Sequence, residues 1–118
     1  MKSQDLYYLE HILTCINDTE IFLKSKTKKQ FSESKMIQYA ILHSLQIMAE
    51  STKRVNTSLK LQVSDVPWHE ISNFRNRLVH EYLGIDLGII WNVIKTDLPK
   101  LKKRVKQMIK FVEAKNKK

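Results

Sequence analysis

Apolar side chains at Leu6, Leu9, Ile12, Leu13, Ile16 and Leu23 keep the three-to-four spacing of one helical face, interrupted by the polar Glu20, and Ser3 or Asp5 can cap its start. The polar, charged run from Lys24 to Gln30 breaks the pattern and reads as a loop, after which Phe31 tucks back onto the core. A second stripe runs from Ser34 through Ile37, Ala40, Ile41, Leu45, Met48, Ala49, Thr52 and Val55, with Gln38, Gln46 and Lys53 facing outward. The mixed stretch Asn56 to Val66 is a connection. Pro67 has the fixed φ that suits a first helical turn, and Trp68, Ile71, Phe74, Leu78 and Tyr82 carry the period of a third helix. Gly84 sits where a left-handed residue would follow that helix. Asp86 can cap a fourth helix bearing Ile89, Ile90, Val93 and Ile94. That helix ends or kinks at Leu98-Pro99, since proline disfavours helical geometry in the residue before it. Leu101, Val105, Met108, Ile109 and Val112 define a fifth. The sum is an all-α, antiparallel four- to five-helix bundle, a single domain over residues 1–118 with no internal repeat or linker.

Composition narrows the functional classes. A chain of 118 residues has material for one core. Its two glycines, Gly84 and Gly88, are too few for the turns of a sheet and cannot form a phosphate-cradling loop, which excludes P-loop and dinucleotide-binding enzymes. One cysteine forms no internal disulfide, no apolar run is long enough for a bilayer, and residues 1–5 lead into an amphipathic stretch without a secretory core, so the expected location is the cytoplasm. The net charge of +9 is lopsided: residues 95–118 hold ten Lys and Arg against Asp97 and Glu113. Such a basic end either attracts a polyanion such as RNA or is a solvated helix face.

The segment from Phe74 to Tyr82 concentrates Arg75, Asn76, Arg77, His80, Glu81 and Tyr82 within a helix. At about 100° per residue, Arg75 and Tyr82 share a face, whereas Arg75 and His80 are separated by roughly 140°. Convergence on one phosphate then needs either a loosened helix near His80 or a second copy of the chain across a two-fold axis. A dimer would supply two imidazoles and two guanidiniums, which suits RNA: the 2′-OH is the nucleophile, one group removes its proton, another protonates the leaving 5′-oxygen, and arginine neutralises charge on phosphorus. No metal or cofactor is required by that scheme. The bland alternative makes Arg75 and Glu81 ordinary surface pairs and His80 a half-buried polar residue. Glu50, a carboxylate within the second apolar stripe, is costly to bury unpaired and is expected to orient Arg75 or Arg77, or to form a surface pair. His11, His43 and His69 lack partners at metal-ligand spacing, Cys15 falls at a core position, and Trp68 and Trp91 fit packing better than base stacking.

The stretch from Val66 to Asp86, followed by Ile90 to Leu101, closely resembles the HepT-like branch of the HEPN superfamily over nearly the whole chain. Its motif Arg-x4-His-x-Tyr is matched by Arg75, His80 and Tyr82, with Asn76 also as the family has it. Met48-Ala49-Glu50-Ser51 departs from the family's Gly-Glu-Ala segment, His69 stands where many relatives have Arg, and Asn73 where many have Gly. The resemblance implies a homodimeric, metal-independent ribonuclease toxin with Arg75 and His80 catalytic and Asn76, Glu50 and Arg77 supporting. It further implies a minimal nucleotidyltransferase antitoxin that adenylylates Tyr82. The rival expectations are a non-catalytic helical partner or nucleotide-binding subunit of a nucleotidyltransferase, and a plain nucleic-acid tether using the Lys-rich end.

Overall fold

A computed structural model describes residues 3–81 and 84–116. Its elements are α1 (Gln4–Leu23), α2 (Lys28–Glu33), α3 (Lys35–Arg54), α4 (Thr57–Leu61), α5 (Trp68–Glu81), α6 (Leu87–Asn92), a π-helical turn (Val93–Asp97) and α7 (Leu98–Asn116), with no strand among the described residues. This is the all-α bundle the periodicity predicts. Helices α1 and α3 pack antiparallel as the central pair, α5 lies against α3, and α7 lies against α1. The antiparallel arrangement is visible in its tethers. The Asn56 N–H after α3 donates to Asp5 Oδ1 near the start of α1 at 2.8 Å, and Lys102 Nζ near the start of α7 donates to Glu20 Oε1 near the end of α1 at 2.8 Å.

Leu9, Ile12, Ile16, Phe31, Ile41, Leu45, Ile90 and Val105 are essentially inaccessible to solvent and form the centre of the core. Each such side chain contributes roughly 1.5–3 kcal/mol of transfer free energy. The buried hydroxyls of Thr19 and Thr52 are satisfied within their own helices, donating to the carbonyls of Cys15 and Ala49 at 2.9 and 2.6 Å.

The structure corrects four local expectations. The loop expected over Lys24 to Gln30 is shorter, because Thr27 and Gln30 form a reciprocal capping box that starts α2 at Lys28. The break from α1 is made at Ser25, whose φ of 63° is left-handed. The connection after α3 contains α4, capped by the Asn56 side chain. Gly84 is not left-handed: its N–H closes a turn on the Glu81 carbonyl at 2.9 Å, and no described glycine has a positive φ. Finally, the end or kink expected at Leu98-Pro99 takes the form of a π turn with no loop, and α7 starts at Leu98. Proline lacks the N–H that an α turn requires, and the chain answers with the π turn, in which the Leu98 N–H bonds to the Val93 carbonyl five residues back before α7 runs on.

Candidate functional site

Helix α5 is anchored at its start and poorly buried along its length. The Trp68 indole N–H is shared between the carbonyls of Lys60 and Val63, both at 3.1 Å, and the Ile71 N–H reaches the Pro67 carbonyl at 3.0 Å. Beyond that anchor, Leu78 is the one buried residue of the helix, with Ile71 and Phe74 packed at the edge of the core. His69, Asn73, Asn76, Arg77 and His80 are exposed. On an ideal helix these five fall within an arc of about 100°, so α5 presents one polar stripe to solvent.

Arg75 stands outside that stripe. Its side chain is 29% exposed and turned toward α3, where Nη2 donates to Glu50 Oε1 at 3.4 Å. Glu50 is in turn held by Gln46 one turn earlier, whose Nε2 donates to the same oxygen at 3.2 Å. On the other side Arg75 Nη1 donates to Asn76 Oδ1 at 3.2 Å. Arg75 Nε is buried without a hydrogen-bond partner among the described residues. A buried donor left in that state costs about 1–3 kcal/mol, a cost carried by the guanidinium that the carboxylate and amide hold in place.

Of the two arginines that could meet Glu50, Arg75 is the one in contact. Arg77 instead pairs with Glu81 one turn on at 3.4 Å, on an exposed surface where such pairs contribute little. The bland alternative therefore holds for Glu81, which forms an ordinary surface pair, and not for Arg75, whose partner lies on another helix. His80 is exposed rather than half-buried and has no hydrogen-bond or ion-pair partner among the described residues. The site residues thus divide: Arg75, Glu50 and Asn76 are joined in one chain of bonds, while His80 stands apart from them. Tyr82 lies outside the described residues.

Pattern reading placed Gln46 and Gln38 outward, and both are half-buried and bonded. Gln46 positions Glu50, and Gln38 Nε2 donates to the carbonyls of Phe31 and Ser32 at 2.8 and 3.0 Å, tying α3 to α2. The available signal for Gln46 was its place four residues before Glu50. The tryptophans pack: Trp91 lies 5.8 Å from Phe31 between ring centroids, with Lys95 Nζ 4.8 Å above its own ring. Cys15 is buried, and burial, with the Asp18 charge second, pushes its thiol pKa upward. His11 Nδ1 lies 3.4 Å from Ser51 Oγ. Among the described residues no three His, Cys, Asp or Glu side chains gather as metal ligands, and no helix is long and apolar enough to cross a membrane.

Known proteins resemble this chain over most of its length. The family profile described as "Ribonuclease HepT-like" matches residues 12–108. The chain is 38% identical over 98 residues to "Putative RNase MJ1380" of Methanocaldococcus jannaschii, covering 83% of this chain and 90% of that one. It is 31% identical over 110 residues to "Probable ribonuclease HepT" of Thermococcus cleftensis, covering 93% of this chain and all of the relative. It is also 34% identical over 113 residues to a longer M. jannaschii protein, "Gamma-glutamylcyclotransferase and putative RNase MJ0434", spanning 96% of this chain and about half (51%) of that protein. No solved structure matches the chain.

Proposed function

Because this chain belongs to the ribonuclease HepT-like family, we propose that it is a metal-independent RNA endonuclease acting as the toxin of a toxin-antitoxin pair. The observation that carries the reading is the division of labour on α5: a guanidinium fixed by Glu50 and Asn76, and an imidazole on the solvent side of the same helix. In this scheme Arg75 receives the scissile phosphate and stabilises charge on phosphorus. His80 takes the 2′-OH proton or delivers a proton to the 5′-oxygen. Since the two groups diverge by roughly 140° around one helix, the proposed active unit is a homodimer in which His80 of one copy works with Arg75 of the other. Asn76 and Glu50 are positioning residues, and Arg77 adds positive charge beside the groove.

The proposed regulator is a minimal nucleotidyltransferase that transfers AMP to the Tyr82 hydroxyl, releasing pyrophosphate from ATP. The added phosphate would repel RNA from the neighbouring cationic groups. RNA cleavage assayed in the presence of EDTA, with the oligomeric state measured by light scattering, tests the core of the reading. Cleavage by a dimer that is lost in both Arg75→Ala and His80→Ala supports it; cleavage surviving in both variants, or activity in a strict monomer, overturns it. Mass spectrometry after incubation with the nucleotidyltransferase and ATP should show AMP additions that vanish in Tyr82→Phe. The Glu50 contact also suits a second reading, in which Arg75 is a strut in a non-catalytic partner of a nucleotidyltransferase; that reading predicts a tight complex with no RNA turnover.

A further inference from the structure

A cleft of about 790 Å³ separates α5 from α7 and lies outside the Arg75–Glu50 contact. Its floor includes Met48, Ile71 and Phe74; Arg77 stands on the α5 wall, and Lys100, Lys103 and Arg104 on the α7 wall. We propose that this cleft seats an unpaired nucleotide of the RNA substrate, its base against Phe74 and Ile71 and its flanking phosphates between Arg77 and the Lys100–Lys103 edge. The inference rests on the ribonuclease reading and adds to it a site that selects single-stranded RNA.

The cleft sets four cations and three carboxylates around an apolar floor, and the two lysines on its α7 edge are the groups open to an anion beside that floor. Among these groups Asp65 and Arg104 occupy each other, Arg77 shares its charge with Glu81 across an exposed pair that a phosphate can displace, and Glu70 and Asp97 remain. Lys100 and Lys103 are exposed and have no ion pair among the described residues, so they meet a phosphate without first breaking a bond. A purely apolar partner would have to bury these ammonium groups, whereas a nucleotide uses both surfaces at once. The path also continues. At about 100° and 1.5 Å per residue, Phe111 falls on nearly the same face of α7 as Lys100 and Arg104, some 10 Å beyond the latter, with Lys110 beside it. Phe111 is 48% exposed, an aromatic ring left in solvent on a basic stripe. Alternating cations and aromatic faces are how proteins follow a single strand, because every base offers a π face while a duplex hides it.

The test uses the full chain and a single-stranded oligonucleotide with 2′-O-methyl riboses, which lacks the nucleophile and reads binding without cleavage. In Lys100→Gln/Lys103→Gln, removing two phosphate contacts should reduce the slope of log K against log salt by about 1.4. In Phe74→Leu, which keeps apolar volume but removes the ring, affinity should fall roughly 5- to 100-fold. With cleavable RNA the double variant should raise KM and keep kcat. Unchanged affinity and salt slope in the double variant, or equal binding of a duplex by the wild-type protein, overturns the proposal. The two readings fail separately. Binding that depends on these lysines in a protein that cuts no RNA sinks the nuclease alone; efficient cleavage with normal binding by both variants sinks the cleft alone.

Discussion

Helices α1 and α5 show how differently two parts of one small bundle can be built. In α1, Leu6, Leu9, Ile12, Cys15, Ile16, Thr19 and Leu23 are all buried, whereas α5 buries Leu78 and leaves a polar stripe in solvent. Fold stability therefore resides mainly where α1 meets α3 and α7, and the residues with chemical potential stand on a helix that contributes less to it. The exposed imidazole costs the bundle little, whereas the unsatisfied arginine N–H is buried where α5 meets α3, beside rather than within the contact of α1 with α3 and α7.

The sharpest way to break this comparison is to exchange the two kinds of damage. Truncating the proposed acid-base group in His80→Ala should lower the RNA cleavage rate by about 100- to 10,000-fold, while its melting temperature changes little, because the side chain is exposed and has no polar partner among the described residues. Ile12→Ala is the converse: loss of a fully buried side chain should cost about 2–5 kcal/mol in a urea titration, with activity per folded molecule retained. A large loss of stability in the first variant, or a neutral second one, would mean that the division between scaffold and site is wrong.

A finer cut falls on the contact joining the two regions. Glu50→Gln keeps the shape but removes the charge opposite Arg75, so cleavage should drop by about tenfold, mostly in kcat, with stability shifted by less than about 1 kcal/mol. If Glu50 served only to hold α5 on α3, stability would move and kcat would not.

Smaller still is a pH effect on the support of α5. Lys60 donates from Nζ to the Thr52 carbonyl at 3.0 Å and lies 5.9 Å from the centre of the Trp68 ring. Burial, with the Lys53 charge second, lowers its pKa. The unfolded chain then binds that proton more tightly than the folded one, so between the lowered value and the ordinary lysine value this residue's contribution to stability rises with pH. The urea midpoint of wild type relative to Lys60→Gln should move in the wild type's favour as the pH rises toward the ordinary lysine value of about 10.4. The last test touches the fold only locally, at Cys15. Its buried, raised thiol should alkylate far more slowly in the folded protein than in urea, and fast alkylation would show that α1 opens locally.

The long helices were legible because their apolar residues repeat often enough to reveal a period; α1, α3, α5 and α7 all announce themselves that way. Helices α2 and α4 have six and five residues, too few to show a period. Their start signals, Thr27 with Gln30 and Asn56, are single residues that also occur in loops. At the site, Glu50 stood out as a carboxylate inside an apolar stripe, but the choice between Arg75 and Arg77 depended on how α5 rotates against α3, a tertiary property. The cleft was hidden for the same reason: it is a space between helices, and Phe74 and Lys103 are far apart in the chain.

The apolar residues Ile90, Ile94 and Leu98 step by four and four on either side of and within the π turn, and all three are buried. The π turn at Val93–Asp97 takes up one residue without the full rotation of an α turn, so α7 leaves it in a different phase from the one a continuous α-helix would give. It acts as a phase adjuster for everything downstream. Were the same residues wound as an ordinary α-helix, the terminal helix would turn by about 100°, and either its greasy edge or its lysines would arrive facing the wrong neighbour.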